Sequence, residues 1–359
     1  MIRTRFSAML LVLLVVVFFT CASVASTNVM VMTYNVDEGT DFTAITAVLT
    51  KTNPPATATD FENAVADTIT EVQNSNPVLR AQLIATEIAN ANPDLVGLQE
   101  AAVWTAPNLN LDLNLLDLIL FYLAQQGHPY QAVVSVEEFH IGITLPNLGP
   151  VSFTDQDVIL ASTDFVNAIA DRQQGHYNHV VPLPAFPPYL PTTTNITRGW
   201  AYVDATKNGT AFRFITTHLE DGTNSTSPIF ALVQALQAVQ LVGGPASTAL
   251  PVIIAGDFNT IANDPFSPTF LTYSFMLGKG LTDAWRRTHP FLVFGGATCC
   301  QDDLTISQSE LRQRLDQVFI RNHVSVVPGE THLVDQFDAL DSSWPSDHAA
   351  VESELQVGP

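Results

Sequence analysis

The apolar pattern changes period along the chain, and those changes predict the elements. Residues 29–35 (VMVMTYN) form a nearly continuous apolar run, the mark of a strand buried on both faces. Residues 36–76 are polar and Thr-rich with Pro54-Pro55 inside, and predict an insertion or a long loop. Leu79, Leu83, Ile84 and Ile88 then recur at helical spacing behind Pro77, predicting a helix over 77–90 that Asn92-Pro93 stops. Residues 95–98 predict a short strand ending at Gln99-Glu100, and 111–126 a helix closed by Gly127. From Tyr130 strand patterns dominate, over 131–136, 157–161, 199–205 and 212–217. The Pro/Thr-rich stretch 182–197 predicts a surface loop. A helix over 229–242 is stopped by Gly243-Gly244-Pro245, and strands follow over 251–255, 314–320 and 348–355. There is no internal repeat and no long linker, so one domain over 26–359 with inserted loops is expected.

The N-terminus changes the picture of where that domain works. Arg3 and Arg5 precede an uninterrupted apolar run over 9–19, and Ser23-Val24-Ala25 offers small residues before Ser26. This is the three-part order of a secretory signal, and the run is shorter than the roughly 20 residues of a membrane span. A signal peptide over 1–25 is expected, with a secreted mature chain, extracellular or periplasmic, that has no transmembrane segment and acts as a monomer. A lipoprotein signal through Cys21 fits less well behind bulky Phe18-Phe19, and an uncleaved anchor is the other alternative.

Composition and charge narrow the chemistry. The 359 residues are 47% hydrophobic and 14% charged, a core-forming composition and not that of a disordered acidic tail. Lys+Arg 14 against Asp+Glu 35 gives a net charge of −21, with cations dispersed and no basic stripe. That excludes a tight, sequence-independent grip on nucleic acid, which needs cations on phosphates; brief contact through a metal survives the exclusion. Only Cys299-Cys300 remain once the leader is gone, so no disulfide framework supports the fold. The pair is either two thiols in a Gly-rich loop or a strained vicinal disulfide, since neighbouring Cα atoms about 3.8 Å apart lie below the usual disulfide range.

Polar residues recur at the ends of the apolar strands. Asn35 ends VMVMTYN, Glu100 ends DLVGLQE, and His218 ends FRFITTH. Asp257 and Asn259 follow PVIIAGDFN, Asp316 lies in RLDQVFI, and Asp347-His348 opens the last strand. Strand ends at one rim bring such residues together in space. Carboxylates, amides and histidines gathered there make a hard-cation site beside an acid/base group, which is chemistry for cleaving phosphate esters.

The motifs TYNV, LVGLQE, THLE, GDFN, RLDQVF and SDH, in this order, resemble the endonuclease/exonuclease/phosphatase superfamily with its deoxyribonuclease-I-like fold. RGWAYVD, TCCQ and WPSDHA are similar to a secreted bacterial subgroup of it. The resemblance spans residues 29–355 and implies an α+β fold, a four-layer α/β/β/α sandwich of two packed mixed sheets flanked by helices. It implies Mg²⁺, or Mn²⁺, on a metal side made of Glu100, Asn35, Asp257 and Asp347. It further implies that Asp257 and Asn259 position the attacking water and hold the phosphate. His348 would be the general base or phosphate-polarising group oriented by Asp316, and His218 would contact the scissile phosphate or act as acid. Asp37-Glu38 and the long stretch to Asn76 depart from the usual pattern and leave the route into the site open.

Taken singly, each residue has a plainer reading. Asn35 suits a strand-end turn, Glu100 a helix N-terminal charge, and Gly-Asp-Phe-Asn around Asp257 a turn. Asp347 suits a capped loop, and His176 and His179 suit alternating surface positions. Asp155 and Asp157 read as solvated strand-edge charges. Arg198, one of few cations, is the candidate for a substrate-phosphate contact, or else pairs with an acid on the surface. The ordered set favours a secreted, metal-dependent phosphodiesterase of nuclease or phospholipase type. Its substrate class would be nucleic acid, a phospholipid headgroup or a small ester. The alternative is a non-catalytic secreted binding protein that retained the fold.

Overall fold

The structure is a computed structural model that describes residues 26–190, 192–223, 228–292, 294–335 and 337–358; the expected leader over 1–25 lies outside the described residues. The chain opens with β1 (Thr27–Asn35), α1 (Thr43–Thr50), α2 (Ala58–Asn74), α3 (Pro77–Ala91) and β2 (Leu95–Gln99). Next come β3 (Val103–Ala106), β4 (Leu111–Asn114), α4 (Leu115–Gln125) and a long hairpin of β5 (Tyr130–Leu145) and β6 (Gly149–Ser162). Then follow β7 (Ile169–His176), β8 (Val181–Leu183), β9 (Thr194–Ile196), β10 (Gly199–Lys207), β11 (Thr210–His218), α5 (Pro228–Gly243) and β12 (Val252–Asp257). The chain closes through α6 (Phe270–Gly278), β13 (Thr282–Asp283), α7 (Ala284–Thr288), β14 (Asp316–Arg321), β15 (Val324–Val334) and β16 (Ala350–Val357).

Two sheets pack face to face. One runs β15-β16-β1-β2-β6-β3-β4 with β5 paired to β6, and the other runs β13-β14-β12-β11-β10-β7. Strand period 2 sorts the side chains. Val29 and Val31 of β1 and Leu95 of β2 meet Phe212, Phe214, Ile253 and Ala255 between the sheets. The opposite faces of the same strands carry helices. Met32, Tyr34, Val96 and Leu98 lie under α3 and α4, while Ile215, Val252 and Ile254 lie under α5 and α6. This is the expected α+β sandwich of four layers, α/β/β/α. Where the sheets come closest, Gly97 of β2 faces Thr216 of β11, and a Cβ there would sit 2.4 Å from the Thr216 hydroxyl. Beside it Gln99 receives a hydrogen bond from Thr33 (3.0 Å) and donates one to Thr216 (2.8 Å), tying the buried faces together across the layers.

Several elements differ from the sequence-based expectation. The 36–76 stretch is not a loop, because it holds α1 and α2. Thr57 and Asp60 form a capping box at the start of α2, and Phe61, Val65, Ile69 and Val72 make its buried stripe. That stripe is diluted by Thr and Asp, which hid the period. The expected helix over 111–126 begins as strand β4 and becomes helix only at Leu115, where the Asn114 side chain caps it. Residues 182–197 contain the small β8–β9 pair, and β5 runs far past Val136 through bulges at Ala132/Val134 and Glu137/Phe139. Cys299 and Cys300 are joined as a disulfide. Among the described residues no helix is long and apolar enough to cross a membrane.

Candidate active site

Sheet register builds the site. β11, β12 and β14 lie side by side so that His218 pairs with Asp257 and Asp257 with Asp316. In the facing sheet the parallel register of β1 and β2 sets Asn35 beside Gln99, and Glu100 follows immediately. The two rims meet. Asn35 Nδ2 donates to Glu100 (2.8 Å) and to Asp257 (3.1 Å), so one amide spans the gap between the sheets.

His348, just ahead of β16 of the first sheet, reaches the second rim: its Nδ1 lies 2.8 Å from Asp316 Oδ2, and its Nε2 lies 4.0 Å from Asp257 Oδ2. The Asn259 backbone N–H donates to Asp257 Oδ1 at 2.8 Å, and its side-chain amide lies 3.0 Å from His218 Nε2. Arg198 donates to His218 Nδ1 at 3.0 Å and pairs with Asp155 at 3.6 Å. A guanidinium has no lone pair to offer, so Nδ1 is the accepting nitrogen of that ring. Asp347 sits half-buried next to His348, with Ser346 Oγ 3.4 Å from its carboxylate. All nine expected site residues therefore stand where the two rims meet, and among them Arg198 holds His218 from behind, within an acidic pocket.

The backbone around them is held in uncommon conformations. Glu100 (φ 59), Asp37 (φ 58) and Asn259 (φ 51) are left-handed, a region costly for a residue such as Glu. Arg80 of α3 supports one of these turns. Its guanidinium, 1% exposed, donates to the Asp37 carboxylate (2.8 Å), to the Asp37 and Val36 carbonyls (2.9 and 3.1 Å) and to the Pro345 carbonyl (3.5 Å). The Asp37 N–H in turn holds Asn35 Oδ1, and the Glu38 N–H holds Glu100. On the other side Thr298 Oγ1 accepts from the Leu315 and Asp316 N–H groups, while Gln301 N–H donates to the Asp347 carbonyl. The disulfide-bearing segment thus clamps Asp316 to the His348 loop.

Burial and neighbouring charges set the protonation states. Burial pushes Glu100 up, but the Glu38 hydrogen bond, His218, His348 and the Asn35 amide outweigh it and leave the carboxyl at about 2. Glu38, half-buried beside it, is raised well above the usual range by desolvation and by the Glu100 charge, and carries the proton of the pair. Burial, then the Asp316 charge, pushes Asp257 up to about 7, and burial pushes Asp347 up to about 8. Burial alone would depress His348, yet Asp316 and Asp347 hold it well above the usual histidine value, so it is charged. Burial and then Arg198 hold His218 well below that value, so it is neutral. Two histidines in one site thus carry opposite states.

Asp155 and Asp157 are not solvated edge charges. They point inward from β6, 6% and 0% exposed, and with Glu138 (0%) they surround Arg198. Burial pushes Asp155 up to about 7 and Asp157 well above the usual range, and both Asp157 oxygens lack a hydrogen-bond partner among the described residues. Glu138 was not singled out in the sequence, Glu38 stood there only as part of a departure from the family pattern, and Glu220 only as the last residue of THLE. The Glu137-Glu138 pair at a bulge in β5, where alternation breaks, was the available signal. Tyr177 is buried, donating to or accepting from Thr217 (2.7 Å), and His176 is exposed.

Among the described residues, donor atoms of Asp257, Asp316 and His348 converge within 4.8 Å. Their closeness is that of an acid–imidazole hydrogen bond. The wider group of Glu100, Asp257 and Asp347 with the Asn35 amide is the better match for a hard cation, being all oxygen and holding an ionised carboxylate with no lysine or arginine bonded to it.

A family model described as Endonuclease/Exonuclease/phosphatase family matches residues 32–348. The fold is similar to an endonuclease/exonuclease/phosphatase from Beutenbergia cavernae at 20% identity and TM-score 0.54, covering 92% of this chain and 72% of that one. It is also similar to a family protein from Leptotrichia buccalis at 15% identity and TM-score 0.56, covering 91% and 99%. A third likeness is to D. rerio TDP2 complexed with single strand DNA product, at 16% identity and TM-score 0.50, covering 92% and 99%. No functionally curated protein matches. The match runs through every strand end that carries the site, and the chain belongs to the endonuclease/exonuclease/phosphatase family of phosphate-ester hydrolases.

Proposed function

We propose that the protein is an exported, divalent-metal-dependent phosphodiesterase. The observation that carries this reading is the meeting of two strand rims, where Asn35 bridges Glu100 and Asp257 while Asp316 holds a charged His348 4.0 Å from Asp257. Glu100, Asp257, Asp347 and the Asn35 carbonyl oxygen would hold the cation, Mg²⁺ or Mn²⁺. When bound, such an ion supplies charge neutralisation at the phosphoryl oxygens.

The chain's own residues do the rest. Asp257, its Oδ1 held by the Asn259 N–H, would accept a proton from an attacking water that the Asn259 amide helps to place. His348, kept charged by Asp316, donates from Nε2 to a phosphoryl oxygen. His218, neutral and pinned by Arg198, lines the opposite wall. The leader-like residues 1–25 motivate the export half of the reading. The test is hydrolysis of plasmid DNA, RNA, sphingomyelin and chromogenic diesters before and after chelation, with Mg²⁺ or Mn²⁺ added back. Activity should vanish and return; full turnover after exhaustive chelation refutes the metal mechanism.

A further inference from the structure

The segment 36–76, which the sequence reads as an insertion or a long loop and which holds α1 and α2, builds one wall of a cavity of about 250 Å³. Ile45 and Leu49 of α1 and Phe61, Val65 and Ile69 of α2 form that wall. Phe139, Ile141 and Ile143, alternate residues of β5, face them together with Trp104 and Phe153. Four residue steps along β5 are about 13 Å, so the cavity is elongated. Its lining is mostly apolar; the charged groups Glu38, Asp155 and Arg198 stand at one end and belong to the catalytic rim, and the hydroxyl residues Thr46, Thr68 and Ser152 are the other polar members, the Thr68 hydroxyl without a partner among the described residues.

The cavity is unfinished by the chain itself. Helix α1 buries none of its residues, although Ile45, Val48 and Leu49 all pack toward this cluster. An apolar cavity of about 150 Å³ already takes up benzene, so this one has room for roughly ten carbons by proportion. Its length suits a chain better than a ring.

We propose that this cavity receives an alkyl chain of the substrate, so that the substrate class is a phosphate ester of a long-chain alcohol, with its phosphate at the His348 rim. The proposal rests on the hydrolase reading for the phosphate end, and on the cavity alone for the chain. Charged groups stand only where the phosphate would lie, which orients the ligand: head at Glu38 and Arg198, tail between α1 and β5.

The test compares methyl, butyl and octyl p-nitrophenyl phosphates as substrates with Mg²⁺ present, and butyl and octyl phosphate as calorimetric ligands. Phenyl and naphthyl phosphate form the ring arm. Four buried methylenes, at about three- to fourfold each, predict roughly 10²-fold preference for octyl over butyl in kcat/KM and in affinity. Ile45→Trp and, separately, Leu49→Trp, both at half-buried positions, should bring that ratio toward one. Octyl phosphate binding with preference but without turnover of any ester would sink the hydrolase reading and keep the cavity. Turnover with equal rates for methyl and octyl, or naphthyl binding above octyl, would overturn the alkyl assignment.

Discussion

Replacing Arg80 by Met tests whether the site is held up from the helix layer. The guanidinium is 1% exposed and is the counter-charge of Asp37, 14% exposed, at 2.8 Å. It also satisfies the Val36, Asp37 and Pro345 carbonyls. Removing one partner of such a buried pair costs about 3–5 kcal/mol, because the other charge stays behind unpaired. For a domain of this length the unfolding entropy is about 2.1 cal/mol/K per residue, near 0.7 kcal/mol/K in all, so Tm should fall by about 4–7 °C. Turnover should fall as well. Asp37 and Glu38 N–H groups place Asn35 and Glu100, and a displacement of about 1 Å in a reacting constellation costs on the order of 10²-fold. The assay is a thermal melt alongside kcat/KM on a chromogenic diester, repeated for Asp37→Asn and the double variant. The double variant should lose less stability than the sum of the singles, since the orphaned carboxylate is gone. An Arg80→Met protein with Tm within 1 °C and unchanged kcat/KM would refute the reasoning.

Other outcomes follow from the same geometry. His348→Ala should lower kcat by about 10² to 10⁴-fold, and Asp316→Asn should lower it with the fold intact by circular dichroism; near wild-type turnover of His348→Ala with saturating metal would contradict the assigned roles. Asp157→Asn should stabilise the protein more at pH 8 than at pH 5. The Asp157 carboxyl is raised in the fold, so its contribution is full below the unfolded value near 3.9 and is lost as pH rises through the folded value, whereas the amide never ionises. Denaturant titration at both pH values checks this, with the larger gain expected at pH 8, and equal gains at both would refute it.

The buried strands and their rim were legible because strands buried on both faces have long apolar runs, and because polar residues interrupt them only at their ends; the four-layer sandwich itself came from the resemblance that the ordered motifs carry. VMVMTYN and PVIIAGD announce both the strand and the place where Asn35 or Asp257 must surface. What was not legible lies where local pattern and tertiary burial disagree. Phe61, Val65 and Ile69 recur every four residues but sit among Thr and Asp, so α2 is visible only once β3 and β6 supply the surface it covers. Asp155 and Asp157 lie in the polar run Thr154-Asp155-Gln156-Asp157, which reads as a solvated strand edge. Their inward direction depends on Arg198, which arrives just ahead of β10, more than forty residues later. The vicinal disulfide is a local choice that spacing left open, and its segment matters through Thr298 and Gln301, which carry no motif of their own.

Each sheet alone owns half of the chemistry, Asn35, Glu100 and the His348 that precedes β16 in one, His218, Asp257 and Asp316 in the other. The Asn35 amide, the His348–Asp316 bond and the Gln99–Thr216 bond are short spans between them. Catalytic competence is therefore a ruler laid across the interior. A loosened state that keeps its strands but swells by a tenth in radius would part the rims by more than a hydrogen bond allows. Turnover is then lost while far-ultraviolet dichroism is still native, so activity reports the tightness of the core earlier than any probe of secondary structure.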